Sequence, residues 1–162
     1  MTRAATVLAG PWEEQPAVAV VRRATSADLD VVTAMGVAFL RESQYRQILT
    51  ENPQQMRALA GQLLDDARGF LLVADRGGTL VGMMGCYLLS HPLSADLVAT
   101  ELFWWVDPTR RGVGLRLLRS AERWAKESGA IALQMIAPEP RVQRLYEKLG
   151  YRFVEASYQR RL

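Results

Sequence analysis

The sequence Arg110-Arg111-Gly112-Val113-Gly114-Leu115-Arg116 lies between a predicted strand over residues 97–106 and a predicted amphipathic helix. The apolar positions of that helix recur at three- and four-residue spacing: Leu117, Leu118, Ala121, Trp124 and Ala125. A helix start presents unpaired N–H groups and about half a positive charge, so it binds phosphate where small residues let the anion approach. Gly112 and Gly114 provide that access, and the surrounding arginines can pair with phosphate oxygens. On this stretch alone, a glycine turn with solvated arginines is an equally good interpretation.

The spacing of this loop excludes two common phosphate-binding motifs. A third glycine in register for a Rossmann fingerprint is missing, and no Gly-Lys-Ser/Thr follows as in a P-loop. The loop therefore predicts anion binding of another kind.

Strands and helices alternate on both sides of this loop. The pattern predicts strands over 18–22, 70–74 and 79–89, with the glycine turn 75–78 joining the last two as a hairpin. It predicts one helix from Ala27 to about Gln44, capped by Ser26, and another after Pro53. The strand over 79–89 is apolar on both faces, so we expect it at the centre of a sheet. After the loop helix we expect a strand, a helix and two final strands, the last over 156–161.

Composition predicts one ordinary globular domain. The chain has 162 residues, of which 49% are hydrophobic and 23% charged, unlike a disordered protein. We expect the domain to span 18–162, with 1–17 as a loose extension. A net charge of +3 is weak evidence for nucleic-acid binding, and we expect none. The uncharged stretch 77–95 is broken by glycines and Pro92 and does not predict a membrane span.

The chain has a single cysteine and a single histidine, which limits the disulfides and metal sites that it can form. Cys86 has no partner for an internal disulfide, and Cys86 with His91 cannot form a Cys/His zinc site. A reducing cytoplasm and no metal are expected. We expect Cys86 itself, in the middle of an apolar strand, to be buried and inert.

Two segments resemble motifs of the GNAT superfamily of acyl-CoA-dependent N-acyltransferases. The family's motif A, Gln/Arg-x-x-Gly-x-Gly/Ala, is matched in its first five positions by 111–115, and Arg116 departs at the sixth. The stretch Val106-Asp107-Pro108 stands where the family has Val-x-Pro. Residues 141–151 look like the motif B helix with its tyrosine, Tyr146, and its following Gly-aromatic pair. Glu139 departs from the asparagine common there.

The resemblance covers roughly 18–162 and implies an α/β (α+β) fold. It implies a mixed, mostly antiparallel sheet of about seven strands with about four helices, splayed between strands 4 and 5. It also implies that acetyl-CoA lies in the splay and that backbone groups near Trp104, Trp105 and Val106 pair with its pantetheine arm. The implied pyrophosphate site consists of Arg111, Gly112, Val113, Gly114, Leu115 and Arg116. Simple core packing of the two tryptophans is the alternative.

Two residues are the predicted catalytic groups. By resemblance, Tyr146 would hydrogen-bond the departing CoA sulfur. Proton transfer from a phenol of pKa about 10 to a thiolate whose thiol has a pKa of about 8.5 is unfavourable. We therefore expect the hydrogen bond and the orientation of Tyr146 to matter more than full proton transfer. Strand alternation places Glu101 with Leu97, Ala99, Phe103 and Trp105, an apolar setting that raises a carboxyl pKa and suits a general base. A buried ion pair is the alternative for Glu101, and packing on the sheet is the alternative for Tyr146.

The acceptor side is less defined by the sequence. His91 is an alternative base or a solvated loop residue, and Phe39, Glu42 and Tyr45 end the first helix near the acceptor by family analogy. The predicted function is transfer of an acetyl group from acetyl-CoA to a primary amine, a small molecule or a peptide, by direct attack in a ternary complex. The alternative, favoured by Arg116 and Glu139, is a catalytically inactive GNAT-fold module that binds CoA or another ligand. We expect a cytoplasmic monomer or homodimer with no membrane contact.

Overall fold

The computed structural model describes residues 18–110 and 112–162, so the predicted extension 1–17 and Arg111 lie outside the described residues. The strands are β1 (Val20–Arg23), β2 (Gly69–Arg76), β3 (Thr79–Ser90), β4 (Leu97–Val106) and β5 (Ala132–Gln134). The helices are α1 (Leu29–Glu42), α2 (Pro53–Asp65), α3 (Val113–Glu127) and α4 (Pro140–Lys148). Short 3-10 turns over Ser26–Asp28 and Gln44–Gln47 flank α1. Within 18–110 and 112–162, no helix has the length and apolar character needed to cross a bilayer.

The strands form one sheet in the order β1-β2-β3-β4-β5. Neighbours are antiparallel except for the parallel pair β4 and β5. This confirms the predicted mixed, mostly antiparallel sheet, and β3 stands in its middle as its two apolar faces predict.

The expected number of strands was too high. The described residues contain five strands rather than about seven, and 151–162, including the predicted strand 156–161, form none. Phe153 and Tyr158 in this tail are 68% and 93% exposed. A strand needs a neighbouring edge to pair with, and β5 extends over only three residues. The apolar residues of 156–161 therefore predicted a strand that does not pair with the sheet and does not form.

The two faces of the sheet carry separate hydrophobic cores. Strand β2 divides between them: Leu71 and Val73 pack with residues of α1 and α2, whereas Leu72 packs with residues of α3. This is the two-residue alternation of a strand buried on both faces. Helices α1 and α2 therefore cover one face of the sheet, here called the α1/α2 face, and α3 covers the other, the α3 face.

The helical segment that begins with the 3-10 turn Ser26–Asp28 and continues into α1 starts one residue earlier than predicted. Thr25, not Ser26, is the extended residue before the first turn, and Ser26 lies within the 3-10 turn. The Asp28 carboxylate accepts hydrogen bonds from Thr25 N at 2.7 Å and from two nitrogens of Arg22 at 2.8 and 3.0 Å. Because Arg22 also contacts Asp75, this cluster ties the start of the helical layer to β1 and β2.

The sheet opens between β4 and β5, as predicted. These strands pair only from Val98 to Thr100 against Ala132–Gln134, so β4 continues to Val106 without its neighbour. Pro138 and Pro140 follow shortly after β5, and proline cannot donate a ladder hydrogen bond. The outer edge of residues 101–106 therefore faces the splay.

Candidate active site

A β-bulge in β4 determines which side chains face the candidate site. Gly85 pairs with Phe103 and Cys86 with Glu101, which leaves Leu102 as the extra residue. The bulge reverses the alternation beyond it. Trp104 and Val106 therefore pack on the α3 face with Cys86 and Tyr146, whereas Phe103 and Trp105 pack on the α1/α2 face.

The predicted surroundings of Glu101 were therefore half wrong. Ala99 and Leu97, before the bulge, belong to a cluster on the α3 face, as the alternation predicts for partners of Glu101. Phe103 and Trp105, after the bulge, lie on the opposite face. A single extra residue in one strand reverses every later side chain, and nothing in the residue types at 101–103 indicates it.

Glu101 is a buried carboxyl group at the end of the paired part of β4. It is 7% exposed, and its Oε2 accepts a hydrogen bond from the backbone N of Ile136 at 3.1 Å. Burial raises the pKa of Glu101 to about 7, although the hydrogen bond from Ile136 opposes the shift. Within 18–110 and 112–162, no ion pair involves Glu101, so the buried ion pair considered as an alternative does not form there.

Tyr146 meets Glu101 at the same backbone residue. The Tyr146 hydroxyl donates to Ile136 O at 3.3 Å, and the residue is 6% exposed. Its ring lies 6.3 Å from Trp104 and 5.4 Å from Tyr151, centroid to centroid. Burial, together with the nearby charge of Glu101, raises the pKa of Tyr146. The structure thus brings both predicted catalytic side chains to Ile136, where the sheet opens.

Ile136 is the participant that sequence analysis missed. It contributes a backbone N–H and a backbone carbonyl rather than a side-chain group, so its residue type carries no signal. The nearest indication in the sequence is Pro138, which predicts that the ladder after β5 ends nearby.

The glycine loop starts α3 as predicted, with two different uses of glycine. Gly112 has a φ of 80°, a left-handed conformation, and a Cβ there would meet no atom within 4 Å. A Cβ at Gly114 would lie 3.0 Å from Cζ2 of Trp104. Gly114 therefore makes room for an indole ring, a neighbour that the sequence does not reveal.

The described arginines around the loop have partners in the protein. Arg116 donates from its guanidinium to Ala19 O at 2.7 Å, which ties α3 to the chain entering β1. Arg119 pairs with Glu122 at 2.9 Å. Leu115, next to Arg116, is largely exposed. Arg116, which departs from motif A, thus makes a hydrogen bond between α3 and the residue that precedes β1.

The two tryptophans differ in their hydrogen bonding. The indole N–H of Trp105 donates to Glu42 Oε2 at 2.9 Å, which joins β4 to the end of α1. The indole nitrogen of Trp104 is buried and has no hydrogen-bond partner among the described residues. Both residues also pack in the hydrophobic cores, Trp104 on the α3 face and Trp105 on the α1/α2 face.

The acceptor-side candidates are only partly assembled. Phe39 and Tyr45 contact each other with ring centroids 6.2 Å apart, and Trp105 packs in the same cluster as Phe39. His91 lies elsewhere: it follows Ser90, which pairs with Leu97, about 13 Å along β4 from Glu101. Its Nδ1 accepts from Leu93 N at 3.3 Å within its own loop. His91 is therefore not brought to the pair formed by Glu101 and Tyr146.

Two further features lie outside this pair. Burial raises the pKa of the Cys86 thiol to about 12, which leaves it protonated at neutral pH. A surface cavity of about 340 Å³ is lined by Leu40, by 46–51 and by Arg161. It includes neither Glu101 nor Tyr146 among its lining residues.

Comparison with known proteins identifies the family. The sequence profile of the acetyltransferase (GNAT) family matches residues 37–151. The chain therefore belongs to the GNAT acetyltransferase family, as its two motifs predict. Its sequence has no significant match among curated proteins.

Solved structures share the fold at low sequence identity. A transcriptional regulator from Bacillus halodurans C-125 is 22% identical with a TM-score of 0.73, and the match covers 89% of this chain and 99% of that one. A ribosomal-protein-alanine N-acetyltransferase from Brucella melitensis is 20% identical, with a TM-score of 0.66 and coverage of 89% and 99%. An acetyltransferase from Trypanosoma brucei is 17% identical, with a TM-score of 0.68 and coverage of 89% and 99%.

Proposed function

We propose that the protein transfers an acetyl group from acetyl-CoA to a primary amine by direct attack in a ternary complex. The observation that carries this proposal is the meeting of Glu101 and Tyr146 at Ile136, beside the unpaired edge of β4. A buried carboxyl group can accept the proton of an attacking amine, and a phenol can donate a hydrogen bond to the leaving thiolate. The acceptor is a small molecule or a peptide, and we expect the protein to act in the cytoplasm as a monomer or homodimer.

The residues at the splay fit an acyl-CoA. The backbone of Trp104, Trp105 and Val106 faces the splay on the side away from β3 and can pair with the pantetheine amides as an added strand would. The start of α3 can hold the pyrophosphate, since its first turn presents unpaired backbone N–H groups and the Cβ direction of Gly112 is open. The implied pyrophosphate site comprises Arg111, Gly112, Val113, Gly114, Leu115 and Arg116, of which Arg116 also holds Ala19.

Glu101 is proposed as the general base. An alkylammonium of pKa about 10.4 is less than about one part in a thousand neutral at pH 7, and only the neutral amine attacks. With a pKa near 7, Glu101 is partly ionised at neutral pH and accepts a proton from the amine, directly or through water. Its hydrogen bond from Ile136 N holds one carboxylate oxygen in place.

Tyr146 is proposed to act at the leaving group. Acetyl-CoA supplies an activated acyl carbon as a thioester, and acyl transfer to nitrogen releases a thiolate. The Tyr146 hydroxyl would hydrogen-bond that sulfur. Because burial raises the pKa of Tyr146, its complete deprotonation is disfavoured further than in water. A hydrogen-bond donor that orients and stabilises the thiolate is therefore the role we assign to it.

Calorimetric titration with acetyl-CoA tests this proposal first, with dephospho-CoA and ADP as comparison ligands. We expect micromolar binding of acetyl-CoA, followed by CoA thiol release when primary amines are screened. Binding without thiol release from any amine class would favour the non-catalytic module. Absence of acetyl-CoA binding would refute acetyl transfer and would also favour the non-catalytic module, in the form that binds another ligand.

A further inference from the structure

Glu42, the last residue of α1, presents an exposed carboxylate. Its Oε2 accepts a hydrogen bond from the indole N–H of Trp105 at 2.9 Å. None of the ion pairs among the described residues involves Glu42. The two arginines nearest to it in the sequence have other partners: Arg41 donates to Glu51 at 2.7 and 2.8 Å, and Arg46 donates to the backbone carbonyl of Arg41 at 3.4 Å. The carboxylate of Glu42 can therefore bind a cation that comes from a ligand.

Three aromatic side chains lie close to this carboxylate. Trp105 contacts it directly, and Phe39 precedes Glu42 by three residues, on the same side of the helix. The ring of Tyr45 lies 6.2 Å from that of Phe39, centroid to centroid, and all three aromatic residues are only partly buried. Two other aromatic rings of the chain have an arginine guanidinium over one face, at 4.9 and 5.1 Å, but no such contact occurs at these three rings among the described residues. A cation can therefore meet both a carboxylate and aromatic faces here.

Trp105 connects this group of side chains with the splay. Its backbone lies on the unpaired part of β4, where the pantetheine arm is proposed to bind. On the α3 face of that stretch, Tyr146 is 6% exposed and the indole nitrogen of Trp104 is buried, so the protein's own side chains fill the space. On the α1/α2 face, Trp105 is only partly buried and Glu42 is exposed. We therefore expect an acceptor to approach the splay from the α1/α2 face, beside Glu42.

We propose that Glu42 and the three rings beside it bind a positively charged group of the acceptor, other than the amine that reacts. This inference rests on the proposed function and narrows its acceptor to amines with a second cationic group. The end of the 14-residue α1 carries partial negative charge and favours the cation as well. Glu101 and Trp105 lie about 13 Å apart along β4, so a spacer of several bonds separates the cationic group from the reacting amine.

The charge of the acceptor is the first variable to test. Primary amines with a butyl, hexyl or octyl spacer carry a trimethylammonium, a hydroxyl or a carboxylate group at the far end, and thiol release from acetyl-CoA gives kcat/KM for each. At the best spacer length, the trimethylammonium acceptor is expected to exceed its hydroxyl counterpart about tenfold. The carboxylate acceptor is expected to be the poorest of the three, because Glu42 repels it.

Glu42→Gln tests the carboxylate itself. Glutamine keeps an oxygen that accepts the hydrogen bond from the Trp105 indole, but it carries no charge. The preference for the trimethylammonium acceptor is expected to disappear, mainly through a higher KM. The matched control is Glu127→Gln, because Glu127 is exposed and is the last residue of α3, as Glu42 is of α1. The control variant is expected to keep the full preference.

A binding measurement without acetyl-CoA separates the cation site from the reaction. The nuclear magnetic resonance signal of the Trp105 indole N–H, assigned as the one lost in Trp105→Phe, reports on the hydrogen bond to Glu42. Titration with tetramethylammonium is expected to shift this signal, whereas tert-butanol, a neutral molecule of similar shape, is expected to leave it in place. In Glu42→Gln the shift caused by tetramethylammonium is expected to be several-fold smaller.

The outcomes distinguish this inference from the proposed function. Absence of thiol release with every amine, together with a Trp105 signal that moves with tetramethylammonium, refutes acetyl transfer and retains a cation site at Glu42. Thiol release with equal kcat/KM for the three charge types at every spacer length, or a preference that Glu42→Gln retains, overturns the inference and leaves acetyl transfer intact. A Trp105 signal that tetramethylammonium does not move overturns the inference as well.

Discussion

Replacing Glu101 by glutamine is expected to make the protein a poorer catalyst and, at neutral to alkaline pH, a more stable one. Glutamine has nearly the same shape, and its side-chain oxygen can still accept the hydrogen bond from Ile136 N. It cannot accept a proton at any working pH. Loss of a general base lowers turnover by about 10²- to 10⁴-fold.

The pH dependence of kcat/KM tests directly whether Glu101 is the general base. With a Glu101 pKa of about 7, wild-type activity is expected to fall about tenfold per pH unit below that value, because only the carboxylate accepts a proton. The Glu101→Gln variant is expected to lack this acidic limb. The control is Glu127→Gln on the exposed end of α3, which is expected to keep it.

The same pKa shift has a consequence for stability, with a defined sign. Burial raises the Glu101 pKa from an ordinary 4.5 to about 7, so the folded protein binds this proton more tightly than the unfolded chain. The wild type therefore loses about 3 kcal/mol of unfolding free energy as pH rises from 4.5 through 7, at 1.36 kcal/mol per pKa unit. Glutamine does not titrate, so the variant does not lose this stability. Urea unfolding is expected to show that the free energy of unfolding of the variant, relative to that of the wild type, is higher at pH 8 than at pH 4.5 by about that amount.

Two results would refute this reasoning. An acidic limb that persists in Glu101→Gln would assign the base to water or to another group. A difference in unfolding free energy between variant and wild type that is the same at pH 4.5 and pH 8 would show that the Glu101 pKa is ordinary in the folded protein.

Three other substitutions test the surrounding structure. Tyr146→Phe is expected to lower kcat while leaving acetyl-CoA affinity unchanged, as measured by thiol release and calorimetry; wild-type kcat would reduce Tyr146 to a packing role. Gly114→Ala places a Cβ 3.0 Å from the Trp104 ring, so we expect weaker acetyl-CoA binding together with a lower melting temperature, and an unaffected variant would contradict the observed contact. Asp28→Asn breaks the contact with Arg22 and is expected to cost about 2 kcal/mol of unfolding free energy at neutral pH. Since the Arg22 guanidinium lowers the Asp28 pKa, that stabilisation is expected to be lost only as the pH falls below 3.8, and an equal loss at pH 7 and pH 2 would argue against it.

Sequence patterns predicted the elements that depend on neighbouring residues. The Gly77-Gly78 turn, with Gly77 at a φ of 61° and Gly78 at 87°, joins β2 to β3 as a hairpin. The apolar run of β3 correctly placed that strand in the middle of the sheet. The roles of the predicted site residues are still predictions, although the structure places Glu101 and Tyr146 together.

Errors arose where a distant partner decides the local conformation. Ser26 and Thr25 are both good caps by residue type, and the choice of Thr25 accompanies the contacts of Asp28 with Arg22 on β1. The tail 151–162 has residues typical of a strand but pairs with no strand of the sheet. Neither outcome can be read from neighbours in the sequence.

The sequence by itself determined the glycine loop at the start of α3, the order of strands and helices, and the family to which the chain belongs. These depend on backbone preferences and residue types over short stretches. Only the tertiary structure decided that Leu102 bulges, that Trp104 rather than Trp105 shares the α3 face with Tyr146, and that Ile136 links Glu101 to Tyr146. A bulge is a property of two paired strands, and the burial that raises the Glu101 pKa comes from residues far apart in the chain.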